Sequence, residues 1–499
     1  MKLNWQVFAT LLFVALAFSG TTDAVDGGLI NTNAIRTIDL RSLPAVTEQV
    51  GVVVQNSHDS KAAKTYSVYI PHAKADRLAK VTVHERKSGA ELQVSKMDNE
   101  HLGNILPPQP IEYRATLLQP LQPGEKISLN IDSVYLNTVE PRPKVVEQTG
   151  DQTWLWKDDA CILSAYPINK EKTVVRTNGE IKAYSQIKES SKDGKSVTFG
   201  PFINGPSPNG PVEVRFRDNR EQLEALTHRR EYFVSHWAND LNILEHYALR
   251  NRAPALEAFD KVKQTMSRFM KARDNFVKTL LVKVPADARD MYVVDEIGNV
   301  STSAVTRRQR LDGDAFKVMQ LKPRYPLAGQ WNYTWWHGYS VPLSNYLRVN
   351  HNRHALRVPF IGSIVGSASQ KEEIPLTAIN THNTAVNAYE LRITLPEGAT
   401  NVDVRVPFNV DSIRQLPQSY YFDSSGRTVV VIEHANVAPS AVDAHVLVTY
   451  DYSVLSLWQK PLVIAMVVFA LFALTSLCSR MQLGLAAAKP ATTATKKTQ

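Results

Sequence analysis

Residues 446–478 read VLVTYDYSVLSLWQKPLVIAMVVFALFALTSLC, and within them the chain changes its period. Val446-Leu447-Val448-Thr449-Tyr450 alternates as a half-buried strand does, side chains pointing by turns to the two faces. Pro461 to Cys478 holds no charge. Its 18 residues, at about 1.5 Å each, make a helix about 27 Å long, close to the hydrocarbon thickness of a thin bilayer. Trp458 stands where an interfacial aromatic would, and Lys460 and Arg480 flank the run with stems long enough to reach the two polar faces. A buried core helix would need chain to pack around it, whereas only a short polar tail follows. The stretch predicts a β body that ends in one membrane helix.

Upstream, the strand signal recurs. Ile127 to Ile131 and Asn401 to Val406 alternate, and Val52–Val54, Tyr66–Ile70, Val81–Val83 and Val429–Ile432 are short β-branched or aromatic runs. Lys87-Ser88-Gly89, Lys192-Asp193-Gly194-Lys195 and Ser424-Ser425-Gly426 break the runs as turns. The fold class expected is mainly β: two β-sandwich-like domains followed by a single C-terminal transmembrane helix. Gly200 to Pro211 (GPFINGPSPNGP) is the richest turn segment; strand-like Val214-Arg215-Phe216 and then polar Asp218 to Gln222 follow it, which puts a domain boundary near residue 220. The organisation expected is a signal peptide over 1–24, β domains over 25–220 and 221–458, a transmembrane helix over 459–480 and a basic tail over 481–499. One further helix is expected over Ala255–Lys271, behind Pro254. Leu256, Phe259, Val262, Met266 and Phe269 form its apolar stripe, expected to pack on a sheet.

The ends set the expected compartment. Lys2, the apolar run Val7–Phe18 and the small residues of Thr22-Asp23-Ala24 have the form of a secretory signal cleaved after Ala24. The body then lies in the ER lumen and the tail, with Arg480, Lys489, Lys496 and Lys497, in the cytosol, as the positive-inside rule requires. Lys496 and Lys497 stand four and three residues from the C-terminus, the spacing of a dilysine ER-retrieval signal. Two lumenal sequons, Asn299-Val300-Ser301 and Asn332-Tyr333-Thr334, make Asn299 and Asn332 candidates for N-glycosylation. Net charge is +9 over 499 residues, and half of it sits at the ends, so no basic face for nucleic acid is expected. The two cysteines, Cys161 and Cys478, exclude a disulfide scaffold or a Cys-x-x-Cys pair. Cys161 reads as a buried thiol, and Cys478 lies at the cytosolic membrane face.

Enzyme motifs fail on spacing. Gly194-Lys195-Ser196 ends like a P-loop, but Glu189 stands where its first glycine belongs, and a hairpin turn fits better. His84-Glu85 opens like a zincin helix whose second histidine is replaced by Ser88. His351 and His354 sit in a basic stretch with no acidic or thiol ligand beside them. Asp158-Asp159 and Asp295-Glu296 are adjacent carboxylates, whereas a glycosidase needs two that face each other about 5–10 Å apart. No catalytic, cofactor or metal residue is assigned.

Several stretches resemble the ribophorin I family, a non-catalytic subunit of the ER oligosaccharyltransferase. The strongest is Val284 to Ser303 (VPADARDMYVVDEIGNVSTS), followed by Leu321 to Trp331 (LKPRYPLAGQW). Gly338-Tyr339 with Val341 to Leu347, Ser235-His236-Trp237, Gly200-Pro201-Phe202, Leu395-Pro396-Glu397-Gly398-Ala399 and Gln459-Lys460-Pro461-Leu462 add to it. The likeness is dense from about residue 200 to 470 and thinner before, where Ser164-Ala165-Tyr166-Pro167 carries it. The 255–271 segment departs from the family's Gly-Pro-Phe-Ser-Arg-like run, and the tail is short. The resemblance implies a type I subunit whose β domains help present nascent acceptor chains to a separate, many-span catalytic subunit. The partners implied are the other subunits, the acceptor polypeptide and the ER membrane. In lipid, helix packing relies on small residues, here Ala465, Ala470, Ala473 and Ser476. Trp335-Trp336 is followed by His337, not by the aspartate of the catalytic subunit's Trp-Trp-Asp, and is expected to fill a core or rim. A stand-alone ER receptor for unfolded or glycosylated cargo is the alternative; a lumenal glycosidase or glycosyltransferase ranks below both.

Overall fold

The computed structural model describes residues 28–480 apart from 98–109, 204–210, 270–274, 307–308, 312–313, 366–383, 422, 424–425, 438–440 and 442–443. The fold is mainly β, and each strand predicted from alternation is present: 127–131 lies in Lys126–Leu136 and 446–450 in His445–Asp451, while 401–406 is matched by Thr400–Arg405, which stops one residue short of Val406. The Asp193-Gly194 turn joins Ser190–Asp193 to Ser196–Ile203, with Gly194 at φ +57°. His84-Glu85 ends a strand, Leu78–Glu85, and not a helix.

Strands drawn from residues 29–203 form a ten-stranded sheet, with Leu29–Asp39 fourth in its order. That strand pairs antiparallel with Ala45–Asn56 and parallel with Lys170–Arg176. Val50, Val52, Tyr66, Val68, Leu129 and Ile131 pack inside one end of the sheet. At the other end a second layer, Thr153–Asp158 with Val212–Arg217, contributes Trp154, Trp156, Val214 and Phe216 against Val197 and Phe199. Between the two cores Arg36 lies buried, its guanidinium shared by Glu48 (2.7 Å) and Asp158 (2.5 Å), with Lys74 also on Asp158.

Strands from residues 223–437 build an eight-stranded sheet. Its centre is the hairpin Leu223–Ser235/Asp240–Asn251. Asn332–Pro342 joins one side antiparallel, and Thr384–Thr394 joins the other side parallel. Two smaller sheets, one around Leu280–Pro285 and Asp314–Leu321 and one around Arg353–Pro359 and His445–Asp451, bring Val282, Val284, Met319, Leu356, Val358 and Val448 into the same core. The two sets of sheets meet at hydrogen-bonded contacts. Val145–Val146 pairs with Ala255–Leu256, and Glu224 accepts from Asn137 (3.1 Å) and Asn387 (2.6 Å).

The helix expected over Ala255–Lys271 is corrected. Ala255–Leu256 is strand, drawn away by Val145–Val146, and helix occupies Lys261–Phe269. Asp260 sets that start: its carboxylate accepts the Val262 (2.7 Å) and Lys263 (3.2 Å) backbone N–H groups as an N-cap does. Phe259, Val262 and Met266 of the stripe do not pack on a sheet either, being 49, 70 and 49% exposed. The C-terminal helix is Val454–Arg480, and every side chain from Leu462 onward is exposed, as suits an apolar helix made for lipid.

Candidate functional site

Where the body meets the apolar helix, four distant pieces of chain converge. Strands Leu223–Ser235 and Thr384–Thr394 run parallel and end together, Phe233 opposite Thr394, and the antiparallel Arg427–Val437 strand starts at that same end. So Phe233, Glu397 and Arg427 come to lie over the first turns of Val454–Arg480. Lys460 on the helix reaches Asp423 (2.7 Å) and Glu397 (3.3 Å). Arg427 binds Asp423 (3.1 Å) from the other side and lays its guanidinium 4.7 Å over the Phe233 ring. Burial by itself would raise the Asp423 carboxyl, but hydrogen bonds from Lys460, the Tyr420 backbone and Arg427 hold it below its ordinary value.

Gly398 closes the joint. It sits at φ +87°, and a Cβ there would stand 2.8 Å from Ser456 Oγ on the helix. Gly398→Val is therefore expected to push the 396–399 loop off the helix, with a loss of about 1–3 kcal/mol from strain and clash. Hydrogen exchange of residues 453–460 should rise, while that of Asp240–Asn251 stays unchanged.

A second concentration of charge lies inside the eight-stranded sheet. Inward positions of its strands line up across the register. Arg230 faces Glu245, which faces His337; one row on, His228 faces Tyr247, which faces Trp335. All six are buried. Glu245 takes Arg230 (3.1 Å), His228 Nε2 (3.1 Å) and the Tyr247 hydroxyl (2.6 Å). Burial opposes its charge, yet Arg230 and these donors keep the carboxyl far below the usual range. Burial holds the His337 imidazole down to about 4 and lowers His228 as well, so both rings are neutral at pH 7. Trp335 Nε1 donates to His337 Nδ1 (3.3 Å), which leaves the His337 proton on Nε2, toward Glu245. Gly362 roofs the cluster, where a Cβ would lie 2.2 Å from Arg230. With one carboxylate, one guanidinium, two neutral imidazoles and no face open to solvent, the cluster fixes the strands in register. Trp335 stacks in this core on Tyr247 (4.8 Å), and Trp336 lies on the opposite face beside His246.

Neither acidic pair presents two facing carboxylates. Asp295 is buried; it accepts the Ile297 and Gly298 N–H groups (3.0 and 3.1 Å) and binds Arg324, while Glu296 is exposed. Asp295 thus ties the hairpin turn that displays Asn299, and both Asn299 and Asn332 are exposed. Asp158 belongs to the Arg36 cluster. His354 is buried against Tyr450, and His351 is exposed beyond it. Cys161 is half-buried and Cys478 exposed. Ala465, Ala470, Ala473 and Ser476 are exposed and fall within an arc of about 140° on the helix. Lys496, Lys497 and residues 1–24 lie outside the described residues. The Asp423–Lys460 joint and the Arg230–Glu245–His337 row were not singled out from sequence. The row carried a signal, since Glu245 falls on the same parity as Leu241, Ile243, Tyr247 and Leu249. Parts of the joint stood out separately, in Leu395–Ala399 and Gln459–Leu462, but nothing in the sequence brought them together, because they are far apart in the chain.

The Ribophorin I family model matches residues 29–479, the β body and the helix together. Among curated proteins, the chain is 28% identical over 475 residues to dolichyl-diphosphooligosaccharide–protein glycosyltransferase subunit 1B of Arabidopsis thaliana, covering 93% of this chain and 95% of that one. It is 28% identical to subunit 1 of Caenorhabditis elegans, over 74% of this chain and 59% of that one. With subunit 1A of Arabidopsis thaliana it shares 25% identity, over 98% and 76%. Likeness to solved structures is slight: native yeast LTA4 hydrolase matches at 9% identity over 42% of this chain and 33% of that one, with a TM-score of 0.25.

Proposed function

We propose, because this chain belongs to the ribophorin I family, that it is a non-catalytic subunit of the oligosaccharyltransferase for which its relatives are named. The observation that carries the reading is the extent of the match, which takes in the whole body and the helix on which it stands. The chain is a single-pass type I protein of the ER membrane, with a signal over 1–24, two lumenal β domains divided near residue 220, and a cytosolic tail carrying Lys496 and Lys497. Ala470, Ala473 and Ser476 pack on other subunits, whereas Ala465 lines a groove beside Ile464 and Val468. The lumenal body holds nascent acceptor chains near a many-span catalytic subunit. The Lys460–Asp423–Arg427 joint supports this role, since it fixes the body's height over the membrane. Tethering a loose acceptor beside an active site raises its effective concentration without new chemistry.

Mild-detergent purification of the tagged full-length protein, assayed for oligosaccharide transfer from a lipid donor to an Asn-x-Thr peptide, tests the reading. Activity together with a many-span partner in fixed ratio is expected. A pure, inactive, partner-free protein would refute it. Asn299→Gln and Asn332→Gln are each expected to remove one glycan's worth of mass from the mature protein, and the double variant should be insensitive to endoglycosidase. Equal mobility of wild type and variants would mean that neither site is used. Lys496 and Lys497 exchanged together for serine should let the protein leave the ER, read by imaging.

A further inference from the structure

Below the joint, a groove of about 680 Å³ separates the tip of the central hairpin from the apolar helix. On the helix it runs from Ser456 past Pro461 and Ile464 to Ala465 and Val468, about 18 Å along the axis. Its other wall is Phe233 to Trp237. The hairpin tip is held firmly: the His236 ring stacks on Tyr452 at 4.6 Å and bonds the Tyr450 hydroxyl at 3.0 Å. Trp237, next in the chain, is left 62% exposed beside the first turns of the helix, and Trp458 is exposed on the helix itself. A large, exposed indole on a fixed turn at the point where an apolar helix begins is the arrangement of an interfacial aromatic.

Two further observations say what fills the groove. Its lower part is continuous with the helix surface from Leu462 to Leu474, all of it exposed and apolar, so the medium that coats the helix reaches the groove. The charges at its upper rim are already matched, Lys460 by Asp423 and Glu397, and Arg427 by Asp423. Among the described residues at the rim, no spare cation calls for an anionic group. The volume falls within the roughly 300–1,000 Å³ of sites that enclose a small molecule.

We infer that the groove is a lipid site. It takes one acyl chain of a bilayer phospholipid along Ile464, Ala465 and Val468, with the glycerol level at Trp237 and a zwitterionic headgroup outside the paired rim. The inference rests on the helix crossing a membrane and not on membership of any complex. Its test is to reconstitute the full-length protein in phosphatidylcholine bilayers containing a little phosphatidylcholine with a diazirine on its acyl chain. After irradiation, labelled peptides are mapped by mass spectrometry. Label is expected to concentrate on Trp237 and Ile464–Val468. Ala465→Trp, which fills the groove from a lipid-facing position and leaves the body's core untouched, should lower that label about tenfold. Leu477→Trp, the same bulk further down, should not. Replacing the probe by its phosphatidylserine counterpart should give no stronger labelling. Label spread evenly over 461–478 and indifferent to Ala465→Trp would overturn the proposal. So would a phosphatidylserine preference, or capture of a protein helix by a photo-cross-linker placed at position 465 in native membranes.

Discussion

Glu245→Ala is expected to destabilise the sheets of residues 223–451 by about 3–5 kcal/mol, because it leaves Arg230 charged and buried with no counter-ion. The Tyr247 hydroxyl and the His228 ring lose their acceptor in the same step. For a unit of this size the loss lowers the melting temperature by roughly 6–20 °C, at about 2–4 °C per kcal/mol. Thermal unfolding of the full-length protein in detergent, followed by near-UV circular dichroism, reads it. The pair also predicts non-additivity. Arg230→Met leaves a lone buried carboxylate and should be as damaging, whereas Arg230→Met with Glu245→Leu removes both charges and should be more stable than either single variant. If the double variant merely sums the singles, the two groups are not coupled as the 3.1 Å contact implies.

Acid is expected to weaken the same sheets well before the carboxylates titrate. His337 is held down to about 4 by burial, His236 likewise by burial and by neighbouring His354, and burial also lowers His228 and His434. Each folded-state pKa lies below the unfolded value near 6.5, so the unfolded chain binds more protons between the two. The stabilisation is complete above about pH 6.5 and drains away as pH falls toward 4. For His337, at about 1.4 kcal/mol per pH unit, the loss reaches roughly 2 kcal/mol by pH 5. A melting curve at each half-unit from pH 7 to 5 should show a falling midpoint. His337→Gln should flatten the slope while lowering the pH 7 value. A midpoint indifferent to pH across that range would mean that the rings titrate as they do in the unfolded chain, open to water.

The strands and the terminal helix were legible because alternation and unbroken apolarity are local properties. Asn401 to Arg405 and Val446 to Tyr450 needed nothing beyond their neighbours to declare a period. The 255–271 helix shows the limit. Periodicity reveals an apolar stripe and not whether anything meets it, and the pull of Val145–Val146 on Ala255–Leu256 comes from more than a hundred residues away. The Asp295 turn gives the Val284 to Ser303 stretch a structural reason: Asp295 ties the loop from within, and Gly298 sits at φ +138°. That reason became visible only with Arg324 and Tyr333 in place around it. The joint at Lys460 lay hidden for the same cause. Leu395 to Ala399 and Gln459 to Leu462 each stood out as a stretch, but only the parallel pairing of Leu223–Ser235 with Thr384–Thr394 carries them to one place.

That parallel pairing also imposes a schedule on synthesis. The strand that must lie beside Leu223–Ser235 begins 149 residues after Ser235. At about 5–20 residues per second, the ribosome takes roughly 7–30 s to deliver it, during which one edge of the central hairpin has no neighbour. The next strand out ends at Val437, only 17 residues before Val454 opens the apolar helix. The sheet is therefore finished while the membrane anchor is leaving the ribosome, and closure of the body and entry of the helix into the bilayer are concurrent events.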